Sequence, residues 1–384
     1  MANGFLIGTS IQALPTSQQN QARNVTSEIY VVQQANQNVT FDLVDNYEAP
    51  SGLNGGLIAA TGGAQQLIYP GETTGEGDFD AFIQIQNTTG LSGGYLLPGN
   101  GTASIQALNI YATGTNSGNA SAYLVPNAGL TVISDIDDIL RVTKIWSPTE
   151  GLLNSFARPY TPWMNMPTIY TNWSRSIPDF HFHYLTTTPE QVTANYMDFI
   201  YANYPWGSFD TRPLNFSDVS ATLSIRKFLL QKIFETYPKR KFILIADTSN
   251  SDVMKDYPEM ATDFPGQVQC IFLRNTSSTD PTDNFPYDTS GFKDLSQSMY
   301  MFFNVPDDLT ALDIVNGECY NKSVMQNLTF SYQGLPFGLG STNNSNSSSN
   351  STAGLAVPAG RGTVLLSVGM AGLAVFLGGM FSTL

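Results

Sequence analysis

Residues 130–144 read LTVISDIDDILRVTK. The largely apolar run LTVIS ends abruptly in three carboxylates, Asp135, Asp137 and Asp138, spread over four positions. A run without polar alternation suits a strand covered on both faces. Asp-x-Asp after such a strand is either a solvated turn or a reactive group. The downstream residues decide between them.

Similar runs recur towards the C-terminus: FHFHYLTT, KFILIAD and VQCIFLR. Helical segments lie between them. TPEQVTANYMDFIYANYP opens with Thr188 as a predicted N-cap, Pro189 at the first helical position and Gln191 reaching back. SATLSIRKFLLQKIFETYP places Ile225, Leu229 and Ile233 on one face and is closed by Pro238. Strands alternating with helices predict an α/β fold with a parallel sheet and helices on both faces. Ligands of such sheets bind beyond the carboxyl ends of the strands.

Polar residues gather at those ends. The first strand delivers Asp135 and Asp137, the second Thr186, the third Asp247 followed by Asp252, and Lys227 lies on the helix before the third strand. A carboxylate can attack phosphorus and form a covalent intermediate. A second acid two residues on can protonate the leaving oxygen and later activate water. Asp135 and Asp247 supply hard oxygens suited to Mg²⁺. A hydroxyl and an ammonium can stabilise the transferring phosphoryl group. His181 and His183 share a strand face without a third ligand nearby and are read as satisfied strand histidines.

This order of motifs is that of the haloacid-dehalogenase-like (HAD-like) superfamily. VISDIDDILRVTK resembles the SDIDDT motif of the fungal actin-patch phosphatidate phosphatase family. SFARPYTPWMNMPTIYTNWS, FHYLTTTPEQ, RKFLLQKIFETYPKRKFILIADTSNSD and FPGQVQCIFLRN resemble its later segments, from about residue 129 to 276. The resemblance implies Asp135 as nucleophile, Asp137 as general acid/base, Thr186 and Lys227 on the phosphoryl group, and Mg²⁺ held by Asp135, Asp247, Asp252 and the Asp137 carbonyl. The implied reaction converts phosphatidic acid to diacylglycerol and phosphate. Ile139 stands where the family has Thr, and Ala246 where it has Gly. The alternatives are a phosphatase of a soluble phosphoester, or an inactive surface glycoprotein whose β domain binds a partner.

Before this region, residues 23–126 carry short β-branched and aromatic runs punctuated by Gly, Asn and Pro. They predict a smaller antiparallel, sandwich-like domain. Residues 1–22 are read as a flexible N-terminus, 127–333 as the phosphatase domain, and 334–362 as a Ser/Asn-rich stalk and spacer. The last segment, 363–384, is an apolar tail that reads as a glycolipid-anchor signal, with a single transmembrane span as the alternative.

The chain has 384 residues and a net charge of -14, which argues against nucleic acid as a partner. Thirteen Asn-x-Ser/Thr acceptors point to the secretory route and the cell surface. The partners expected are a phosphoester substrate and a membrane surface. No signal peptide is evident at the start. Cys270 and Cys319 can form one bridge or remain two free thiols.

Overall fold

The strand that ends in Asp135 lies inside a six-stranded parallel sheet. A computed structural model describes residues 11–28, 34–44, 65–75, 77, 79–83, 85, 95–96, 106–112, 119–189, 193–212, 219–283 and 288–326. The anchor tail and the stalk lie outside the described residues, as do seven of the thirteen glycosylation acceptors.

Helix α1 spans Thr16–Glu28. The antiparallel module follows, with β1 Asn38–Val44, β2 Gln65–Glu72, β3 Tyr95–Leu96, β4 Gln106–Ala112 and β5 Asn119–Leu124. These strands form one sheet in the order β2-β1-β4-β3, with β5 also on β4. Its described core is small, centred on Leu43 and Leu67.

The second sheet comprises β6 Ala128–Ser134, β7 His181–Pro189, β8 Ser208–Arg212, β9 Lys239–Asp247, β10 Val268–Arg274 and β11 Tyr300–Phe303. Its order is β11-β10-β9-β6-β7-β8, with every neighbouring pair parallel. β6 is therefore internal, flanked by β9 and β7, and Val132 and Ile133 are fully buried on its opposite faces. Helices α2 Pro148–Phe156, α3 Met166–Ser176, α4 Thr193–Asn203, α5 Val219–Thr236 and α6 Ser251–Asp263 complete the layers. One buried cluster packs α3 and α4 with Val132, Phe182 and Tyr184, while the other packs α5 and α6 with Ile133, Leu185 and Leu244.

Two local outcomes differ from the sequence reading. The helix predicted from Thr188 starts at Thr193, and β7 continues through Pro189. The strand keeps Thr188 because its hydroxyl is bonded inside the site described below. Residues 16–22 are helical, and Ala22 and Val25 are buried against the α/β core. Two apolar side chains one turn apart suffice to dock a helix whose other positions are polar.

Arg240 is a fully buried staple at the amino end of β9. Its Nε donates to Thr131 Oγ1 at 2.8 Å, Nη1 to the carbonyls of Pro126 and Ala128 at 2.8 and 2.6 Å, and Nη2 to those of Leu130 and Asp179 at 2.9 and 2.6 Å. Gly129 passes beside it at φ +124°, where a Cβ would lie 2.6 Å from the Asp179 carbonyl. Arg240→Met strands these acceptors, so urea unfolding is expected to show a loss of about 3 kcal/mol.

Cys270 and Cys319 are disulfide-bonded across 49 positions. The bridge ties the segment after β11 back to β10. In the chain-entropy account a loop of that size stabilises by about 4 kcal/mol.

Candidate active site

The carboxyl ends of β6 and β9 bring the acids together. Asp135 extends β6, its N–H donating to the Ile245 carbonyl at 2.8 Å. Its Oδ1 accepts the Ile136 N–H at 2.8 Å, and its Oδ2 accepts Arg226 Nη2 at 3.0 Å. Both residues are buried. Burial raises the Asp135 carboxyl to about 6; Arg226 opposes that rise and Asp137 adds to it.

Asp137 is held differently. Its Oδ1 accepts Arg141 Nε at 2.9 Å and Thr143 Oγ1 at 2.7 Å. Its Oδ2 accepts Thr188 Oγ1 at 3.0 Å and the Tyr196 hydroxyl at 2.8 Å. Burial by itself would raise this carboxyl, but Arg141 and the Thr143 and Tyr196 hydroxyls outweigh it and hold the group below the ordinary carboxylate range.

Asp138 organises the loop. It adopts φ +59°, a left-handed conformation that Asp tolerates better than most residues. Its Oδ1 accepts the N–H groups of Thr143 and Lys144 at 3.0 and 2.8 Å, and its Oδ2 accepts that of Ile145 at 3.1 Å. Its carbonyl accepts Arg274 Nη1, and the Arg274 guanidinium carbon lies 4.0 Å from the Trp163 ring centroid.

Asp247 ends β9. Its Oδ1 accepts the Ser249 N–H at 2.8 Å and the Ser249 hydroxyl, while its buried Oδ2 has no hydrogen-bond partner. Burial pushes this carboxyl well above its ordinary value, and the charges of Asp138 and Asp135 push it further. A buried, unpartnered carboxylate oxygen among two other acids is what a hard cation would compensate. The donor chemistry fits Mg²⁺, with Asp135 and Asp247 as carboxylate ligands and backbone carbonyl or water completing the shell. Among the described residues, no three His, Cys, Asp or Glu side chains form a ready cation cluster. Asp252 lies in the first turn of α6, where its charge acts on Arg226 and Asp256.

Lys227 and Thr186, expected on the phosphoryl group, are held by other partners in this structure. Lys227 does not reach Asp135; it pairs with Glu259 at 2.7 Å and Asp263 at 3.3 Å on the seam between α5 and α6. Arg226 takes the inward position. The helical phase carried that signal: Arg226, Leu230 and Phe234 repeat every four residues and are all fully buried. Lys227, one residue on, is turned by about 100° toward the edge of the helix. Thr186 is buried at the strand end, but its hydroxyl accepts the Thr188 N–H at 3.1 Å. Thr188 makes the contact with Asp137.

The remaining expectations resolve simply. His183 bonds Asp210 at 2.8 Å and His181 Nε2 bonds Ser208 at 2.9 Å, while the buried Nδ1 of His181 has no hydrogen-bond partner. Trp146, Trp163 and Trp173 are buried, so the aromatic segment after Asp-x-Asp packs inward; Met164 is its exposed member at 60%. Ile139 is fully buried in the core.

Asp256 on α6 offers a test of local electrostatics. Burial raises its carboxyl from 3.8 to about 6, and Asp252 adds to the shift against the attraction of Arg226. The folded state thus holds this proton more tightly than the unfolded chain. Its stabilising contribution is complete below about pH 4 and is lost as pH rises through about 6. Asp256→Asn is expected to raise the melting temperature at about pH 7.5 and to leave it unchanged at about pH 4.

An internal parallel strand ending in Asp-x-Asp, a third acid at the end of the neighbouring strand and a buried guanidinium paired with the first acid define a class: parallel α/β proteins with an acid-and-arginine site at the strand ends. Comparison with known proteins narrows it. Residues 130–275 match the family model described as phosphatidate phosphatase APP1, catalytic domain. Phosphatidate phosphatase APP1 of Saccharomyces cerevisiae (strain ATCC 204508 / S288c) is 28% identical over 158 residues, which cover 39% of this chain. The chain spans 27% of the length of that curated relative.

Proposed function

We propose that this protein is a Mg²⁺-dependent phosphatase that hydrolyses phosphatidic acid to diacylglycerol and phosphate. The observation that carries the reading is the meeting of Asp135, Arg226 and the unpartnered Asp247 Oδ2 at the end of β6 and β9. The family match of residues 130–275 supplies the substrate class.

Asp135 is the nucleophile. A carboxylate oxygen forms a bond to phosphorus while the bond to the glycerol oxygen breaks. Asp137, ionised at rest, takes a proton from the water that cleaves the aspartyl-phosphate and gives it to the leaving oxygen of the next substrate. Arg226 aligns Asp135 through Nη2, and its buried positive charge stabilises the phosphoryl oxygens as their charge shifts. When bound, Mg²⁺ supplies positive charge for the phosphoryl oxygens and favours the ionised form of Asp135. Arg274 and Asp138 hold the loop that carries the two reacting acids.

The substrate is a membrane lipid, so the protein works at a membrane surface. The glycosylation acceptors, the disulfide and the apolar tail support a secreted, glycosylated and glycolipid-anchored location. Phosphate release from phosphatidic acid in mixed micelles, with Mg²⁺ or with a chelator, tests the proposal beside a soluble aryl phosphate. Release from the lipid that chelation abolishes is the expected result. Release from the aryl phosphate alone would assign a soluble phosphoester instead, and release from neither would leave an inactive surface glycoprotein.

A further inference from the structure

Asp137 sits in a cage of donors drawn from separate parts of the chain. On the Oδ1 side, Arg141 is fully buried, 3.8 Å from the Tyr160 ring centroid and 4.9 Å from that of Tyr196. Its Nη2 donates to Ser155 Oγ at 3.1 Å, and Thr143 bonds the same carboxylate oxygen. On the Oδ2 side stand two hydroxyls from β7 and α4, Thr188 and Tyr196, 3.2 Å apart. Tyr196 also lies 3.1 Å from Oδ1, so it spans both oxygens.

A carboxylate offers about four lone-pair positions. The Arg141, Thr143, Thr188 and Tyr196 contacts occupy them. A group that exchanges a proton with a leaving oxygen needs one of them back. Arg141, Thr143 and Tyr196 are buried, whereas Thr188 is half-buried and is the donor nearest solvent.

Resting on the phosphatase reading above, we infer that Tyr196 is a positioning residue for Asp137, and that Thr188 holds the place the leaving oxygen takes during turnover. In that step the Asp137 O–H bond breaks, its proton passes to the leaving oxygen, and the P–O bond breaks with its electron pair on that oxygen. Tyr196 keeps its own proton throughout.

The leaving group provides the test. Glycerol oxygen needs a proton as it departs, whereas 4-nitrophenolate does not. Tyr196→Phe keeps the ring beside Arg141 and Tyr160 and removes only the hydroxyl. Its kcat/KM on short-chain phosphatidic acid is expected to fall about tenfold more than its kcat/KM on 4-nitrophenyl phosphate, because that ratio reports the P–O cleavage step and not the hydrolysis of the shared aspartyl-phosphate. Thr188→Val is expected to lose no more on the lipid than on the aryl phosphate, because that hydroxyl is displaced by the leaving oxygen in turnover. Equal losses on the two substrates in Tyr196→Phe would make Tyr196 structural and overturn the inference while the phosphatase reading survives. A wild type silent on both substrates overturns the reading and the inference together. If Tyr196→Phe does not fold, Thr188→Val decides: a loss on the lipid larger than on the aryl phosphate contradicts displacement.

Discussion

Asp135→Asn is expected to abolish Mg²⁺-dependent phosphate release, with a fall on the order of 10³- to 10⁴-fold. That loss corresponds to about 4 to 5.5 kcal/mol of transition-state stabilisation. An amide oxygen is a far poorer nucleophile than a carboxylate, and no other acid occupies the same place. Asp137 is tied to Arg141, Asp138 to three backbone N–H groups, and Asp247 to Ser249. Asn is isosteric, so the buried site should retain its packing, which near-ultraviolet circular dichroism checks. Single-turnover assays with labelled substrate should also show no phosphoryl group on the protein. Substantial turnover by a folded Asp135→Asn protein would falsify the covalent mechanism.

The second large effect separates two adjacent residues on α5. Arg226→Ala is expected to lower kcat/KM by roughly 10²- to 10³-fold, the range seen when a positioned donor to developing charge is removed. Lys227→Ala should change it by less than about twofold, because partly exposed ion pairs contribute little. Arg226→Lys should recover part of the loss: the positive charge remains, but a single ammonium cannot bond both Asp135 and a phosphoryl oxygen in the guanidinium's fixed fork. Steady-state kinetics of the three variants on one substrate suffice. If Lys227→Ala carries the loss and Arg226→Ala does not, the inward face of α5 has been assigned to the wrong residue.

Much of the site is legible in the sequence. The apolar run before Asp135 predicts a covered strand, and β6 is internal to the sheet. The same logic places Asp247 at a neighbouring strand end, and it lies there. The resemblance across residues 129–276 agrees with the matched segment 130–275. Three features are not legible. Thr188 reads as a helix cap because Thr-Pro-x-Gln is a good start signal; the bond from its hydroxyl to Asp137 is a contact between residues 51 apart. Asp138 reads as incidental because its role is to accept backbone donors from its own loop. Tyr196 and Arg141 carry no motif at all.

The sequence alone determined where the acids would emerge, because a continuous apolar run has one stable destination, the inside of a sheet, and its end has one exit. It also determined the order in which the polar residues reach the strand ends, since parallel strands joined by helices return every strand end to the same edge. Only the tertiary structure decided which cation faces Asp135. Each helical residue turns the side chain by about 100°, so rotation of α5 on the sheet chose Arg226 over Lys227. The partners of Asp137 were decided in the same way, by the meeting in space of a loop, a strand end and a helix that local pattern cannot bring together.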